Sequence, residues 1–149
     1  MDPPWFPIES DFSPNSPPPV FCVDDALVLS ILVGGADADL FKGKNGDDLL
    51  IGGSTVFDGN ELAIWAIQSE WNSARSYEER ATNLRGPSSS LRANGEVFLV
   101  TSGTNATVFE DHDSDELVGG SGRDWYFANL AFDLLDDVSK DEWMDELDL

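Results

Sequence analysis

Two contiguous nine-residue segments with the same order of residue types constrain the fold of this chain more than any other feature. They are residues 34–42 and 43–51, and each begins with glycine. In both segments an aspartate stands at the sixth place, as Asp39 and Asp48, and a large apolar residue stands at the eighth. A repeat of this period is typical of stacked turns and strands, in which every row packs on its neighbours.

The same order returns later in the chain, in residues 119–127. This row has both leading glycines, a glycine at the fourth place, Asp124 at the sixth and an aromatic residue at the eighth. In the same register, the rows on either side carry Asp115 and Asp133 at the sixth place but lack the glycines. We therefore expect the two glycine-aspartate runs to belong to one structure.

The spacing brings together the groups that bind calcium. Glycines permit tight turns with positive φ and leave the carbonyl oxygens uncovered, and the sixth-place carboxylate adds negative charge beside them. Calcium takes six to eight oxygen ligands from carboxylates and carbonyls in flexible geometry. The eighth-place residue would follow on a short strand and point inward. The residues expected at metal sites are Gly34, Gly35, Asp37, Asp39, Gly43, Asn45, Asp48, Asp115, Gly119, Gly120, Gly122 and Asp124.

These rows resemble the haemolysin-type (RTX) nonapeptide, G-G-x-G-x-D-x-U-x, most strongly over residues 34–53 and 115–127. The resemblance implies a short parallel β-roll with bound Ca2+ between loops two rows apart, since two rows make one turn of the roll. A wider similarity, over residues 45–149, is to a C-terminal module of large acidic planctomycete proteins. It rests on four strings, residues 49–53, 70–72, 83–86 and 124–129.

Three positions depart from the nonapeptide pattern. Asp37 replaces the fourth-place glycine of the first row, and Lys44 replaces the second glycine of the next row. A third row begins at Gly52, but Phe57 stands where its aspartate is required. These departures leave the number and the affinity of calcium sites open.

The rest of the chain divides into a lead-in, a module and an insert. Residues 1–20 hold seven of the eight prolines, so we expect them to be disordered. Residues 21–149 form the module: mainly β, interrupted near 58–109 by a helix-loop segment, and ending in an acidic tail. If the chain leaves the roll after Gly53 and returns at Glu110 as the next row, Asp48 and Asp115 would face each other across one calcium.

Helical periodicity and capping signals stand in residues 60–85, which we interpret as two helices or one helix broken near Asn72. The predicted N-terminal capping boxes are residues 58–61 and 76–79. On the first helix we expect one buried face, formed by Leu62, Trp65, Ala66 and Ser69. Short strands are predicted at residues 26–33, 97–101 and 106–109, and a short amphipathic helix at 139–147.

Composition excludes several classes of function. The chain has 29 acidic and 8 basic residues, a formal net charge of −21, which argues against binding to nucleic acid or anionic lipid because both require a basic surface. A single cysteine excludes a disulfide framework within the chain and a thiolate zinc site, and a single histidine leaves no histidine cage. No apolar stretch is long enough to span a bilayer.

We therefore expect a non-enzymatic, calcium-dependent structural or adhesion-type module, with a cell-surface or extracellular protein as its partner. An extracellular or cell-surface location follows from the resemblance, although residues 1–20 do not have the pattern of a secretory signal. Two alternatives stay open. One is an acidic interaction module whose turns bind no metal, and the other is a small hydrolase with structural calcium.

Overall fold

The computed structural model describes residues 20–22, 29–43, 45–88 and 91–148. The predicted lead-in lies outside this part, apart from Val20, as do Lys44 and the beginning of the strand predicted at 26–33. The described elements follow in chain order: β1 Val20–Cys22, β2 Ile31–Val33, β3 Leu40–Lys42, β4 Leu49–Ile51, β5 Ser54–Thr55, α1 Glu61–Trp71, α2 Tyr77–Arg85, β6 Val108–Phe109, β7 Glu116–Val118, β8 Trp125–Ala128, β9 Leu134–Asp136 and β10 Trp143–Glu146.

Eight of these described strands form two four-stranded parallel sheets, with the orders β1-β3-β7-β9 and β10-β8-β4-β2. From β2 onward the chain alternates between them, so each sheet takes every second row. Hydrogen-bonded rows are 18 residues apart within one run, as between Ser30 and Asp48. Across the insert they are 76 apart, as between Asp48 and Asp124. The protein is thus mainly β with a helical insertion.

The insert divides a row instead of separating two rows. Strand β7 pairs with β3 so that Leu117 lies beside Phe41. In that register Gly52 and Gly53 are the first two places of the row that ends in β7, and the row resumes at His112. The insert is therefore residues 54–111, whose length of 58 is the difference between the separations of 76 and 18.

This register corrects the expected pairing of Asp48 with Asp115. Asp48 stacks on Asp124 instead, and Asp115 stacks on Asp39. The physical reason lies at the ends of the insert, where β5 and β6 form an antiparallel pair. Because the departing and returning strands lie side by side, the chain re-enters the row that it left.

Eighth-place residues fill the space between the two sheets, as the sequence predicts. They form one buried cluster with two partly buried neighbours, made of Leu32, Phe41, Leu50, Leu117 and Tyr126 with Leu135 and Met144. Each row thus contributes one apolar side chain to this inner core, where burial stabilises the stack.

A second core lies on the outer face of the sheet β10-β8-β4-β2, which we call the covered sheet. Seventh- and ninth-place residues of this sheet pack against the helices of the insert, and the cluster comprises Ile31, Leu49, Ile51, Trp125 and Phe127 with Ile64, Ile67, Trp71, Tyr77, Ala81 and Leu84. The other sheet, which we call the open sheet, has exposed side chains on its outer face at Lys42, Glu116 and Asp136.

The prediction of two helices is confirmed, but the predicted buried face of α1 is wrong. Leu62 is 82 % exposed and Trp65 is 46 % exposed, whereas Ile64, Ile67 and Trp71 are buried. Both sides of α1 carry apolar residues, and packing on the covered sheet selects one of them. No described helix has the length and apolar character that crossing a membrane requires.

Only the second of the two predicted capping boxes forms. Asn60, not Asp58, caps α1 and accepts a hydrogen bond from the backbone N–H of Ala63 at 3.2 Å. At the start of α2, Ser76 and Glu79 form the reciprocal capping box that the sequence predicts. Asp58 instead accepts hydrogen bonds from Thr55, so it stabilises the turn that precedes the helix.

The C-terminal helix predicted at residues 139–147 is also wrong. Strand β10 occupies this region and pairs in parallel with β8. Its row continues the nine-residue register, with Glu142 at the sixth place and Met144 at the eighth. Of the short strands predicted at 97–101 and 106–109, only the second forms one, at Val108–Phe109. In the first, Val100 accepts hydrogen bonds from the N–H groups of Thr107 and Val108, and its own N–H donates to the Thr107 hydroxyl.

Candidate functional site

Sixth-place side chains are stacked in two columns, one for the rows of each sheet. The open column consists of Asp39, Asp115 and Asp133. Its members are linked because the backbone N–H of Asp39 donates to Oδ1 of Asp115 at 2.7 Å, and the N–H of Asp115 donates to Oδ1 of Asp133 at 3.0 Å. The carboxylates of Asp115 and Asp133 thus each accept a hydrogen bond from the row stacked before them.

The covered column consists of Ser30, Asp48, Asp124 and Glu142. The N–H of Ser30 donates to Asp48 at 2.9 Å, and the N–H of Asp48 donates to Asp124 at 2.7 Å. A longer bond of 3.4 Å joins the N–H of Asp124 to Glu142. The same side-chain-to-backbone link therefore holds both columns together.

The second carboxylate oxygen of four of these aspartates is buried without a hydrogen-bond partner. The four are Asp39, Asp48, Asp115 and Asp124, which are 5, 0, 1 and 0 % exposed. Burial raises the pKa of each of these carboxyls to about 7. A buried ionised carboxylate without compensation is costly, and a proton or a cation at these oxygens would reduce that cost.

First-place glycines are required because the sixth-place carboxylate lies over them. A Cβ on Gly34 would stand 2.6 Å from Oδ2 of Asp39. On Gly43 it would overlap Oδ2 of Asp48, and on Gly119 it would overlap Oδ2 of Asp124. The repeated glycine and the repeated aspartate are thus two parts of one local arrangement.

Positive φ angles occur at the second and fourth places of the rows, including the fourth place at which aspartate replaces glycine. Gly35 and Gly120, at the second place, have φ of 81° and 88°, and Gly122 at the fourth place has φ of 129°. Asp37 replaces the fourth-place glycine and still has φ of 74°. Aspartate tolerates this region better than most residues, so the departure preserves the turn.

The turns of the covered column are in close contact. Asn45 pairs with Ser121 in a parallel bridge and accepts a hydrogen bond from its hydroxyl at 2.7 Å. A Cβ on Gly43 would overlap the carbonyl oxygen of Gly119, so the two backbones approach closely there. Backbone carbonyls and carboxylates of two rows therefore lie together, and both are oxygen ligands of the kind that calcium uses.

Helices of the insert fix the same turns from outside. The indole N–H of Trp71 donates to the carbonyl of Asp47 at 2.8 Å, and Arg80 pairs with the Asp47 carboxylate at 2.7 Å. The hydroxyl of Tyr77 donates to the carbonyl of Asp124 at 2.8 Å. The insert is consequently attached to the rows that contain Asp48 and Asp124.

The twelve residues expected from the sequence fall into two groups. At the open column lie Gly34, Gly35, Asp37, Asp39 and Asp115, and at the covered column lie Gly43, Asn45, Asp48, Gly119, Gly120, Gly122 and Asp124. Sequence reasoning missed Glu142, which one further row in the same register would have found. It also missed Glu110 and Asp111, which belong to the insert and follow no repeat.

Among the residues that the structure describes, no three or more His, Cys, Asp or Glu side chains are grouped in a way that could hold a metal ion. The columns instead combine single carboxylates from successive rows with backbone oxygens. Comparison with protein-family models, with curated proteins and with solved structures finds no match. The function must therefore be inferred from the carboxylates and backbone oxygens of the two columns.

Proposed function

We propose that this protein binds calcium ions between its stacked glycine-aspartate turns, as a non-enzymatic structural or adhesion-type module of the RTX kind. One observation carries the proposal. Four sixth-place aspartates are buried, and each has a carboxylate oxygen without a hydrogen-bond partner. Ordered cations between the rows would neutralise these groups and use the remaining oxygens.

Charge favours a cation over a proton at neutral pH. The chain has a formal net charge of −21, and like charges destabilise a compact state. Burial is the main cause that raises the pKa of Asp48 and of Asp124 to about 7. The N–H of Asp48, which donates to Asp124, lowers the pKa of Asp124, whereas the charge of Asp48 raises it. A divalent cation would offset both the desolvation and the repulsion.

The type of oxygen donor favours calcium over other metals. Zinc prefers nitrogen and sulfur ligands, and the chain has one histidine and one cysteine. Magnesium requires a near-ideal octahedron and releases its water reluctantly, whereas calcium accepts many carbonyls and carboxylates in irregular geometry. Turns built from glycine carbonyls and single carboxylates fit calcium best.

The rows of Asp48 and Asp124 form the most complete pair of stacked glycine-aspartate turns. Both of their rows have a first-place glycine, and both rows are uninterrupted. The row of Asp115 is divided by the insert, so its turn differs from the others. We therefore assign the principal site, which we call the Asp48–Asp124 site, to the covered column.

A location outside the cell agrees with sites of this kind. Extracellular calcium-binding modules have dissociation constants of about 10⁻⁴ to 10⁻³ M, so they are filled outside cells and empty in the cytosol. A partner would then be an extracellular or cell-surface protein, with the module as a calcium-stabilised scaffold.

Calcium titration tests the proposal directly. Thermal unfolding of the full chain should be followed in calcium, in magnesium at equal ionic strength, and in chelator. Binding to the folded state alone stabilises it by about 2.7 kcal/mol at a calcium concentration of 100 times Kd, so the melting temperature should rise with calcium and little with magnesium. Equal melting temperatures in calcium and chelator would instead favour an acidic interaction module without metal.

A further inference from the structure

We propose a second calcium site, the insert junction, in which Glu110 and Asp111 at the returning end of the insert would join Asp115 and Asp39 of the open column as ligands. The identity of the cation rests on the proposed function, but the residues differ from those of the repeat. Glu110 and Asp111 directly precede His112, at which the divided row resumes. The insert would thus contribute ligands of its own.

In each of the two insert carboxylates, one oxygen accepts a hydrogen bond and the other has no hydrogen-bond partner. Oε1 of Glu110 accepts a hydrogen bond from the N–H of His112 at 3.0 Å, and Oδ1 of Asp111 accepts one from the N–H of Asp113 at 3.0 Å. The other oxygen of each, Oε2 of Glu110 and Oδ2 of Asp111, is buried without a hydrogen-bond partner. A local turn fixes both side chains and leaves one oxygen of each for a ligand.

The adjoining aspartates of the open column are unsatisfied in the same way. Asp39 and Asp115 are more than nine-tenths buried, and Oδ2 of each is without a hydrogen-bond partner. In the described part of the chain, nine buried side-chain atoms have no such partner, and four of them belong to this group. These four unpartnered carboxylate oxygens form an anionic group that a divalent cation would neutralise.

The charges of neighbouring carboxyls in this group raise the pKa values of Asp39 and Asp115. After burial, the charges of Asp115 and Asp111 are the next causes that raise the pKa of Asp39. The charges of Asp111 and Glu110 also raise the pKa of Asp115, which stacks between Asp39 and Asp133. His112 lowers the pKa of Glu110 and of Asp111, but burial has the larger effect on both.

Two column carboxylates also converge on one glycine of the divided row. A Cβ on Gly52 would lie 3.1 Å from Oδ2 of Asp115 and 3.2 Å from Oδ2 of Asp133. Gly52 is the first place of the row that the insert interrupts. The carboxylates are therefore directed towards the point where the chain leaves the roll, close to where it returns.

The divided row explains why the insert would supply ligands here. Its third to fifth places are His112, Asp113 and Ser114, so the fourth-place glycine of rows 43–51 and 119–127 is missing. Carboxylates from residues 110 and 111 would compensate for the altered turn. Since the side chains are not already gathered into a three-acid group, binding would draw them together, and calcium tolerates such irregular ligand sets.

Two pairs of isosteric substitutions separate the insert junction from the Asp48–Asp124 site. Calcium binding should be counted by equilibrium dialysis for wild type, Glu110→Gln/Asp111→Asn and Asp48→Asn/Asp124→Asn. The control is Glu116→Gln/Glu146→Gln, which removes equal charge from exposed strand positions. We expect the first variant to bind one calcium fewer, or one roughly tenfold or more weakly, and to keep the Asp48–Asp124 site. The second should lose only the Asp48–Asp124 site.

The outcomes distinguish the two proposals. If wild type binds no calcium, the proposed function itself is wrong. If wild type binds calcium and Glu110→Gln/Asp111→Asn binds the same number with unchanged affinity, the insert junction is wrong and the proposed function stands. A loss equal to that of the charge-matched control would also overturn the junction, since general charge would then explain it.

Hydrogen exchange covers the case in which the insert variant does not fold, because it leaves Glu110 and Asp111 unchanged. Hydrogen exchange should be compared in calcium and chelator for the amides of residues 108–113, in the Asp48→Asn/Asp124→Asn background. Calcium-dependent protection there supports the junction, because the Asp48–Asp124 site has been removed. Unchanged exchange of these amides overturns it.

Discussion

At the scale of single residues, an aspartate and a glycine of the same row determine each other. In the rows of Asp39, Asp48 and Asp124, the carboxylate of the sixth residue folds over the first residue, where a Cβ would clash with it. This relation is visible in the sequence as glycine and aspartate recurring at the first and sixth places of a nine-residue period. Ser30 and Glu142 occupy the same column, but without aspartate and glycine they gave no comparable signal.

Replacing a first-place glycine should therefore affect the metal site more than the backbone. In Gly119→Ala the new Cβ would overlap Oδ2 of Asp124 and the hydroxyl of Tyr126. We expect a loss of about 1–3 kcal/mol in the free energy of unfolding, as for overpacked positions, together with weaker calcium binding. Urea unfolding and calorimetric titration measure the two effects. Gly59→Ala is the control, since nothing lies within 4 Å of its Cβ position.

The stacking register predicts which aspartates share a site. Asp48→Asn and Asp124→Asn should each weaken calcium binding, and the double variant should lose little more than either one, because residues of one site are non-additive. Asp48→Asn with Asp115→Asn should give additive losses, since these residues lie in different columns. Calcium affinities from calorimetry decide between the pairs, and the reverse pattern would contradict the register.

At the scale of elements, the capping residues and spacing predicted two helices, but not which face of α1 is buried. Ile64 and Trp65 are adjacent apolar residues, and only packing on the covered sheet decides that the first is buried. The C-terminal acidic run was ambiguous for a similar reason. Trp143 and Leu147 have helical spacing, yet the nine-residue register, which places Met144 against the inner core, determines the fold there.

Tyr77 links the helical pair to the rows of the Asp48–Asp124 site. Its hydroxyl donates to the carbonyl of Asp124 and accepts from the N–H of Trp143 at 3.0 Å. Tyr77→Phe would leave both backbone groups without this partner, which typically costs about 1–3 kcal/mol. Denaturant unfolding in saturating calcium should show this loss. Trp65→Phe, on the exposed side of α1, should change stability by less than about 0.5 kcal/mol, and an equal effect of both would contradict the link.

At the scale of the whole molecule, acidic charge opposes folding, and the proposed calcium binding would offset that charge. The parallel stack and the helical insert could be predicted from period and composition. The point at which the insert divides a row could not, because Gly52 and Gly53 begin an ordinary row in the sequence. Only the pairing of β7 with β3 shows that this row continues at His112.

Salt and calcium should therefore stabilise the protein in different ways. With a net charge of −21, the chelated protein should become more stable as sodium chloride screens its self-repulsion. Calcium at millimolar concentration should stabilise it further at constant ionic strength, because its sites are specific. Thermal unfolding across a salt series, with and without calcium, tests this, and a calcium effect that sodium chloride reproduces would argue for screening alone.

The divided row has a consequence for the order in which the chain folds. Strands β3 and β4 find their next partners 76 residues further along the chain, whereas α1 and α2 are joined by a short connection. Contacts between distant residues form more slowly than local ones, since the intervening loop must close first. The helical pair should therefore fold early and act as a template, and the central rows of the roll should close last. During synthesis, the turn that contains Asp48 could stack on the row of Asp124 only after the second half of the chain has been made.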